Sequence, residues 1–158
     1  MSEKLDQLRQ AFTHTLLLAG RQWRRAANGL VEAHGLSDAT ALPLILIGRL
    51  EGEPRQNALA DAVGIEGPSL VRLLDQLCTA GLVVRKEDPT DRRAKVLNLT
   101  PAGQRTVSQM EAELIALRGQ VFADVDTADL EASLRVFQAL QRYARETPEA
   151  ATRGEAAE

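Results

Sequence analysis

The chain has 158 residues, a formal net charge of −3, 44% hydrophobic residues and only 3% aromatic ones, enough for one domain whose core comes from aliphatic helix packing. The negative balance excludes a protein that coats nucleic acid everywhere, and no apolar run reaches the roughly 20 residues of a bilayer span, nor do the first ten residues resemble a secretory signal, so a cytoplasmic protein without a membrane partner is expected. The single cysteine, Cys78, excludes an intramolecular disulfide, and with only His14 and His34 beside it no zinc spacing is recognisable, so neither metal nor cofactor is expected.

In chain order, Leu5, Leu8, Phe12, Leu16, Ala19, Trp23, Leu30 and Val31 recur at helical spacing and predict a long first helix over residues 5–34. Residues 40–50, TALPLILIGRL, predict an apolar helix with Pro43 in its first turn, where the missing N–H has no partner to lose. Gln56–Val63 is a shorter helical pattern with Leu59 and Val63 on one side, and Gly64 allows the tight turn that joins two crossed helices. The next helix opens at Gly67-Pro68-Ser69, carries Leu70, Leu73, Leu74 and Leu77 at i, i+3, i+4, i+7, and ends at Ala80-Gly81. Its opposite face presents Pro68, Val71, Arg72, Asp75 and Thr79, flanked by Ser69 and Gln76, side chains that can reach base edges.

Two β-type runs follow, residues 82–87 and 95–99, separated by the turn formers Asp88-Pro89-Thr90-Asp91. This predicts a hairpin with Asp91-Arg92-Arg93 at its tip. Thr100-Pro101 then supplies a capping hydroxyl and a proline at the first helical position, so a helix begins there. Val107, Met110, Leu114, Leu117 and Val121 continue it; after a break between Asp124 and Asp129, a second stripe runs through Leu130, Leu134, Phe137, Leu140 and Tyr143. Residues 147–158 have no aliphatic periodicity and read as a disordered tail. The expected fold is mainly α with a small β-hairpin wing: a winged helix-turn-helix at residues 38–99, terminal dimerisation helices at 5–34 and 101–146, and one domain over 1–146.

The stretch LADAVGIEGPSLVRLLDQLCTAGLVVRKEDPTDRRAKVLNLTPAG resembles the MarR family of winged-helix transcription regulators, most specifically at Asp88-Pro89-x-Asp91-Arg92-Arg93 and at Leu99-Thr100-x-x-Gly103. The resemblance implies that Ser69, Val71, Arg72 and Gln76 face the major groove of double-stranded DNA. It also implies that Arg92 or Arg93 enters the minor groove, with Asp91 orienting one guanidinium. The physical division of labour is a helix that distinguishes base pairs and an arginine on a thin loop that fits a narrow, electronegative groove. Arg85, Lys86 and Lys95 are placed for phosphates. By segment, Lys and Arg against Asp and Glu count 6 to 6 over residues 1–53, 7 to 6 over 54–95, and 6 to 10 over 96–158. A mildly positive motif on an acidic scaffold suits selective, salt-sensitive binding.

The terminal apolar stripes are too long for the winged domain to cover, and a second copy of the chain is the simplest partner. A two-fold pair of recognition helices predicts a palindromic operator with half-site centres about one helical turn apart. The family further implies a repressor released by a small molecule, typically a phenolic or other aromatic acid. His14, Arg21, Trp23 and Arg24 on the first helix are the candidates to hold it, through cations and a stacking surface; for each, a surface, interface or core role is the stronger reading. No catalytic spacing of paired acids, nucleophile and base, or phosphate-binding glycines is found, so an enzyme is not expected. The alternatives are a winged helix that docks proteins without specific DNA binding, which would have no use for Arg72, Arg92 and Arg93 together, and a thiol-based redox sensor through Cys78, which is otherwise a small packed side chain.

Overall fold

The computed structural model describes residues 2–147; of the expected tail only Thr147 falls among them. The elements are α1 (Ser2–Ala33), α2 (Asp38–Arg49), α3 (Gln56–Val63), α4 (Gly67–Thr79), β1 (Val83–Asp88), β2 (Asp91–Leu99), α5 (Pro101–Val121) and α6 (Thr127–Glu146). Among the described residues this gives six helices and one antiparallel hairpin, the winged-helix arrangement that the alternation of helical and strand patterns predicts. The described residues divide into two compact units, parting between Leu117 and Arg118.

In the first unit α2 forms the floor on which α3 and α4 pack. It starts two residues before the apolar pattern does, because Ser37 and Thr40 form a capping box: the Ser37 Oγ accepts from the Thr40 N–H, and the Thr40 Oγ1 accepts from the Ser37 N–H at 3.0 Å. Pro43 is therefore the sixth helical residue and not in the first turn as the apolar pattern suggests. Its missing N–H deprives the Ala39 carbonyl of its usual donor, yet the helix continues because Pro43, Leu44, Ile45 and Ile47 are all buried. The core below the helix-turn-helix is aliphatic: Leu44, Leu59, Leu70, Leu74, Leu77, Leu97 and Met110 are each under 2% exposed. Burying each of these is worth about 1.5–3 kcal/mol. The turn between α3 and α4 rests on Gly64, whose φ of 79° places it in the left-handed region while its N–H closes on the Ala60 carbonyl at 2.9 Å.

The hairpin pairs Val83 with Leu99 and continues in register to Glu87 opposite Lys95, after which Asp88 faces Asp91. The second strand thus begins at Asp91, four residues earlier than the β-type run, and Arg92, Arg93 and Ala94 stand in a bulge without cross-strand partners. A short third edge escapes the sequence pattern altogether. Arg55 bridges to Val96, and the Leu97 N–H bonds the Pro54 carbonyl at 3.0 Å, so the segment leading into α3 pairs with the other side of β2.

The exit from the wing is closed by Thr100, whose Oγ1 donates to the Gly81 carbonyl at 2.6 Å and accepts from the Gly103 N–H at 3.0 Å. Gly103 is required here by proximity: a Cβ on it would lie 2.0 Å from the Leu82 carbonyl oxygen. Gly103→Ala is accordingly expected to push α5 off the wing stem and to cost about 1–3 kcal/mol or more in urea unfolding, as overpacking of backbone contacts does. An unchanged midpoint would mean that α5 is not seated as described. Farther along, Arg49 of α2 forks onto Glu111 of α5, with the second bond at 2.9 Å, and the His34 Nε2 lies 3.3 Å from Glu113.

The second unit is built differently. No residue of α6 is buried, and Leu134 and Tyr143 are 61% and 63% exposed. In the first unit, α1 likewise exposes Leu8 and Leu17. Among the described residues no single helix is long and apolar enough to cross a membrane.

Candidate nucleic-acid interface

The start of α4 is set by Pro68 in the first turn, with no side chain capping it. Its buried stripe, Leu70, Leu74 and Leu77, fixes the rotation of the helix, which leaves Ser69, Arg72, Asp75, Gln76 and Thr79 exposed and Val71 half-buried. Of the side chains predicted to meet the major groove, Ser69, Arg72 and Gln76 lie on the outward face, while Val71 is half-buried at its edge. Cys78 sits at the margin of that face, partly buried against the core.

One of the three basic residues predicted to contact phosphate is committed to the scaffold. The Arg85 Nη2 donates to the Val71 carbonyl at 3.0 Å and meets the Asp75 Oδ1 at 2.8 Å. Its Nε is buried without a hydrogen-bond partner among the described residues. Arg85, predicted to contact phosphate, is thus half-buried and ties the wing stem to the middle of α4; it also neutralises the one acid on the outward face of that helix. Lys86 and Lys95 remain exposed, the first 4.0 Å from Glu53 and the second 3.6 Å from its cross-strand neighbour Glu87. Such solvent-exposed pairs are worth about 0.2–1 kcal/mol and release their cations readily.

At the tip, Asp91 differs from the expected role of guanidinium partner. Its Oδ1 accepts from the Arg93 N–H at 3.0 Å, an Asx-type turn that shapes the bulge instead. Arg92 and Arg93 are both exposed, and among the described residues neither guanidinium has an acid within ion-pair distance. The carboxylate that does organise the wing is Asp88, which is 7% exposed. Its Oδ1 accepts from the Thr90 N–H at 2.8 Å and from the Thr90 Oγ1 at 2.7 Å, and its Oδ2 accepts from the Arg55 Nε at 2.7 Å. The two Thr90 bonds first, and the Arg55 charge after them, hold the Asp88 carboxyl below the usual carboxylate range.

Neither Arg55 nor Asp88 was among the sequence-predicted contacts. Asp88 carried a signal, an Asp two residues before Thr in a turn, which is the spacing of a side-chain-closed turn. Arg55 carried none, because its partner is 33 residues away. Between α3 and the wing lies an open cleft of about 370 Å³ lined by Arg55, Gln56, Asn57, Arg93 and Lys95 among others.

Of the ligand candidates, Arg21 and Arg24 line a groove of about 280 Å³ along α1 with Leu16, Leu17 and Gly20. Arg24 also lies 4.0 Å from Asp38. Trp23 packs against the core of the winged unit, and His14 is exposed outside the groove.

A model of the MarR family matches residues 34–94, the stretch from the end of α1 to the wing tip. The transcriptional regulator PA3341 is 33% identical in its solved structure, with 85% of this chain and 98% of that one covered and a TM-score of 0.78. The chain belongs to the MarR family. Two further relatives have solved structures. A transcriptional regulator of the MarR family from Rhodococcus sp. RHA1 is 26% identical over 84% of this chain and 94% of that one, with a TM-score of 0.74. CouR from Rhodococcus jostii RHA1, bound to p-coumaroyl-CoA, is 26% identical over 82% and 90%, with a TM-score of 0.75. The likeness thus spans the terminal helices as well as the winged core.

Proposed function

We propose that the chain is a homodimeric transcription repressor of the MarR family that binds a palindromic operator and is released by a small aromatic or phenolic molecule. The observation that carries the DNA-binding half is the combination of an outward α4 face bearing Ser69, Arg72 and Gln76 with two arginines in the wing bulge that have no acidic partner among the described residues. A helix of this width enters the major groove, and an arginine beside it suits the minor groove. Arg85 supports the reading because it removes the charge of Asp75, which would otherwise face phosphate. The domain organisation fits the same reading, with residues 38–99 contacting DNA and the flanking helices pairing two copies.

The effector half is supported by the groove on α1, where Arg21 and Arg24 stand beside Leu16 and Leu17. A planar, apolar acid would meet both an apolar floor and a cation there. CouR binds an aromatic acyl thioester, p-coumaroyl-CoA, and its similarity to this chain makes that chemical class the first to screen.

The test is a titration of the purified protein onto the DNA upstream of its own gene and onto random DNA at two salt concentrations. Specific, salt-steep binding is expected, because neutralised phosphates release counterions. Arg72→Ala should cost about 1–3 kcal/mol at one base position and little on random DNA, the signature of a residue that reads a base. Equal affinity for operator and random DNA, after genome-wide selection has also yielded no site, would leave protein docking as the better description.

A further inference from the structure

The wing is held at both ends. Near its stem, Arg85 reaches α4 through the Val71 carbonyl and Asp75. At its far end, Arg55, the residue that precedes α3, holds Asp88 just before the turn. The two oxygens of Asp88 divide the work: Oδ1 takes both bonds from Thr90 and so shapes the turn, while Oδ2 takes the Nε and a terminal nitrogen of Arg55, each at 2.7 Å. The carboxylate, with a direct bond from the Arg55 Nη2 to the Thr90 Oγ1 at 3.4 Å, transmits the position of Arg55 to the turn. Arg55 is itself a fixed anchor, since its backbone is bridged to Val96 and its neighbour Pro54 accepts from the Leu97 N–H.

This matters because the strand ladder is interrupted at the residues that would meet DNA. The register shifts between Glu87 opposite Lys95 and Asp88 opposite Asp91, and Arg92, Arg93 and Ala94, which fall in that shift, have no cross-strand partner. Where those arginines lie is set by where the turn is held. Asp88 is buried on its side of the pair, while the Arg55 side chain is 45% exposed and stays open to screening by salt.

We propose that Arg55 is a positioning residue for DNA recognition: through Asp88 it fixes the wing turn over the entrance of α3, and so selects which minor-groove step Arg92 and Arg93 meet when α4 occupies the major groove. The inference rests on the DNA-regulator reading above and adds a specificity determinant outside both reading elements.

Sites would be selected from a random duplex library by the wild-type protein and by Arg55→Ala, Arg55→Lys and Asp88→Asn, with hydrogen exchange of the wing amides measured in parallel. Arg55→Ala should enrich the same bases at the major-groove positions, which serves as the folding control, while the preference at the flanking minor-groove positions flattens and overall affinity falls roughly tenfold. Asp88→Asn should flatten the flank in the same way although it removes a negative charge, which simple electrostatics would score as tighter binding. Arg55→Lys should recover part of the preference, and residues 90–95 should exchange faster in the alanine variant. The proposal is overturned if Arg55→Ala keeps the wild-type flank, if Asp88→Asn keeps it while Arg55→Ala does not, which would make Arg55 a direct phosphate contact, or if core and flank are lost together. If the wild-type protein enriches no site, the DNA reading itself fails and this inference goes with it.

Discussion

The variant Leu130→Glu/Leu134→Glu is expected to be a monomer and to bind the operator about 10²–10⁴-fold more weakly than the parent, the range lost when two linked modules become independent. The two leucines are 38% and 61% exposed and lie one turn apart on the same face of α6, a helix without a single buried residue. Covering a leucine is worth about 1.5–3 kcal/mol, and a two-fold interface counts each contact twice. Four carboxylates in its place would each need a partner or stay in water. The core of the winged unit does not include these positions, so helix content should be retained. Sedimentation at micromolar concentration checks the first half, and titration onto a two-half-site operator beside a single half-site checks the second. A variant that stays dimeric would move the interface away from α6, and one that becomes monomeric without losing affinity would break the link between pairing and DNA binding.

What the sequence made legible follows from the range of the interactions involved. The helix α4 was readable because its buried stripe repeats every three to four residues and its start is marked by Pro68, all within thirteen positions. The winged-helix order was readable for the same reason: each element announces itself by its own periodicity or cap. Boundaries failed where a cap overrode the apolar pattern. Ser37 and Thr40 begin α2 ahead of its hydrophobic run, which moves Pro43 into the second turn. The second strand begins at Asp91 because a bulge absorbs three residues that show no alternation.

The site divides along the same line. The outward α4 residues were legible from helix geometry alone. The fates of the charged wing residues were not, because burial and distant partners decide them. Arg85 looks like a strand cation in sequence, yet its guanidinium is spent on Asp75 and Val71, ten and fourteen residues earlier. Asp91 and Asp88 are similar turn acids on paper; in the fold one closes the bulge backbone and the other becomes the buried node between the turn and Arg55. On α1, Arg21 and Arg24 share a groove while Trp23 turns to the core, a distinction that needs the rotation of a 32-residue helix to be fixed within a few tens of degrees.

That contrast sharpens what Arg92 and Arg93 should do. They are the basic side chains of the wing that the fold leaves uncommitted, and among the described residues no acid neutralises them. Removing both, as Arg92→Ala/Arg93→Ala, is expected to weaken operator binding about a hundredfold at low salt and to lower the slope of log affinity against log salt by about 2, one for each cation withdrawn. The stem is untouched by this change, since Arg85, Asp88 and Arg55 keep their bonds, so the fold and the major-groove preference should persist. The paired lysine variant separates two ways of losing affinity. If the arginines only meet phosphates, lysine carries the same charge and restores both slope and affinity. If one enters a narrow minor groove, lysine restores the slope but not the preference for narrow, A·T-rich flanks, because the more strongly hydrated ammonium gives up its water less easily than a guanidinium. Salt titrations of the three proteins on operators with A·T-rich and G·C-rich flanks decide between them, and a wing that could lose both arginines without effect on any of these DNAs would not be a DNA-contacting wing.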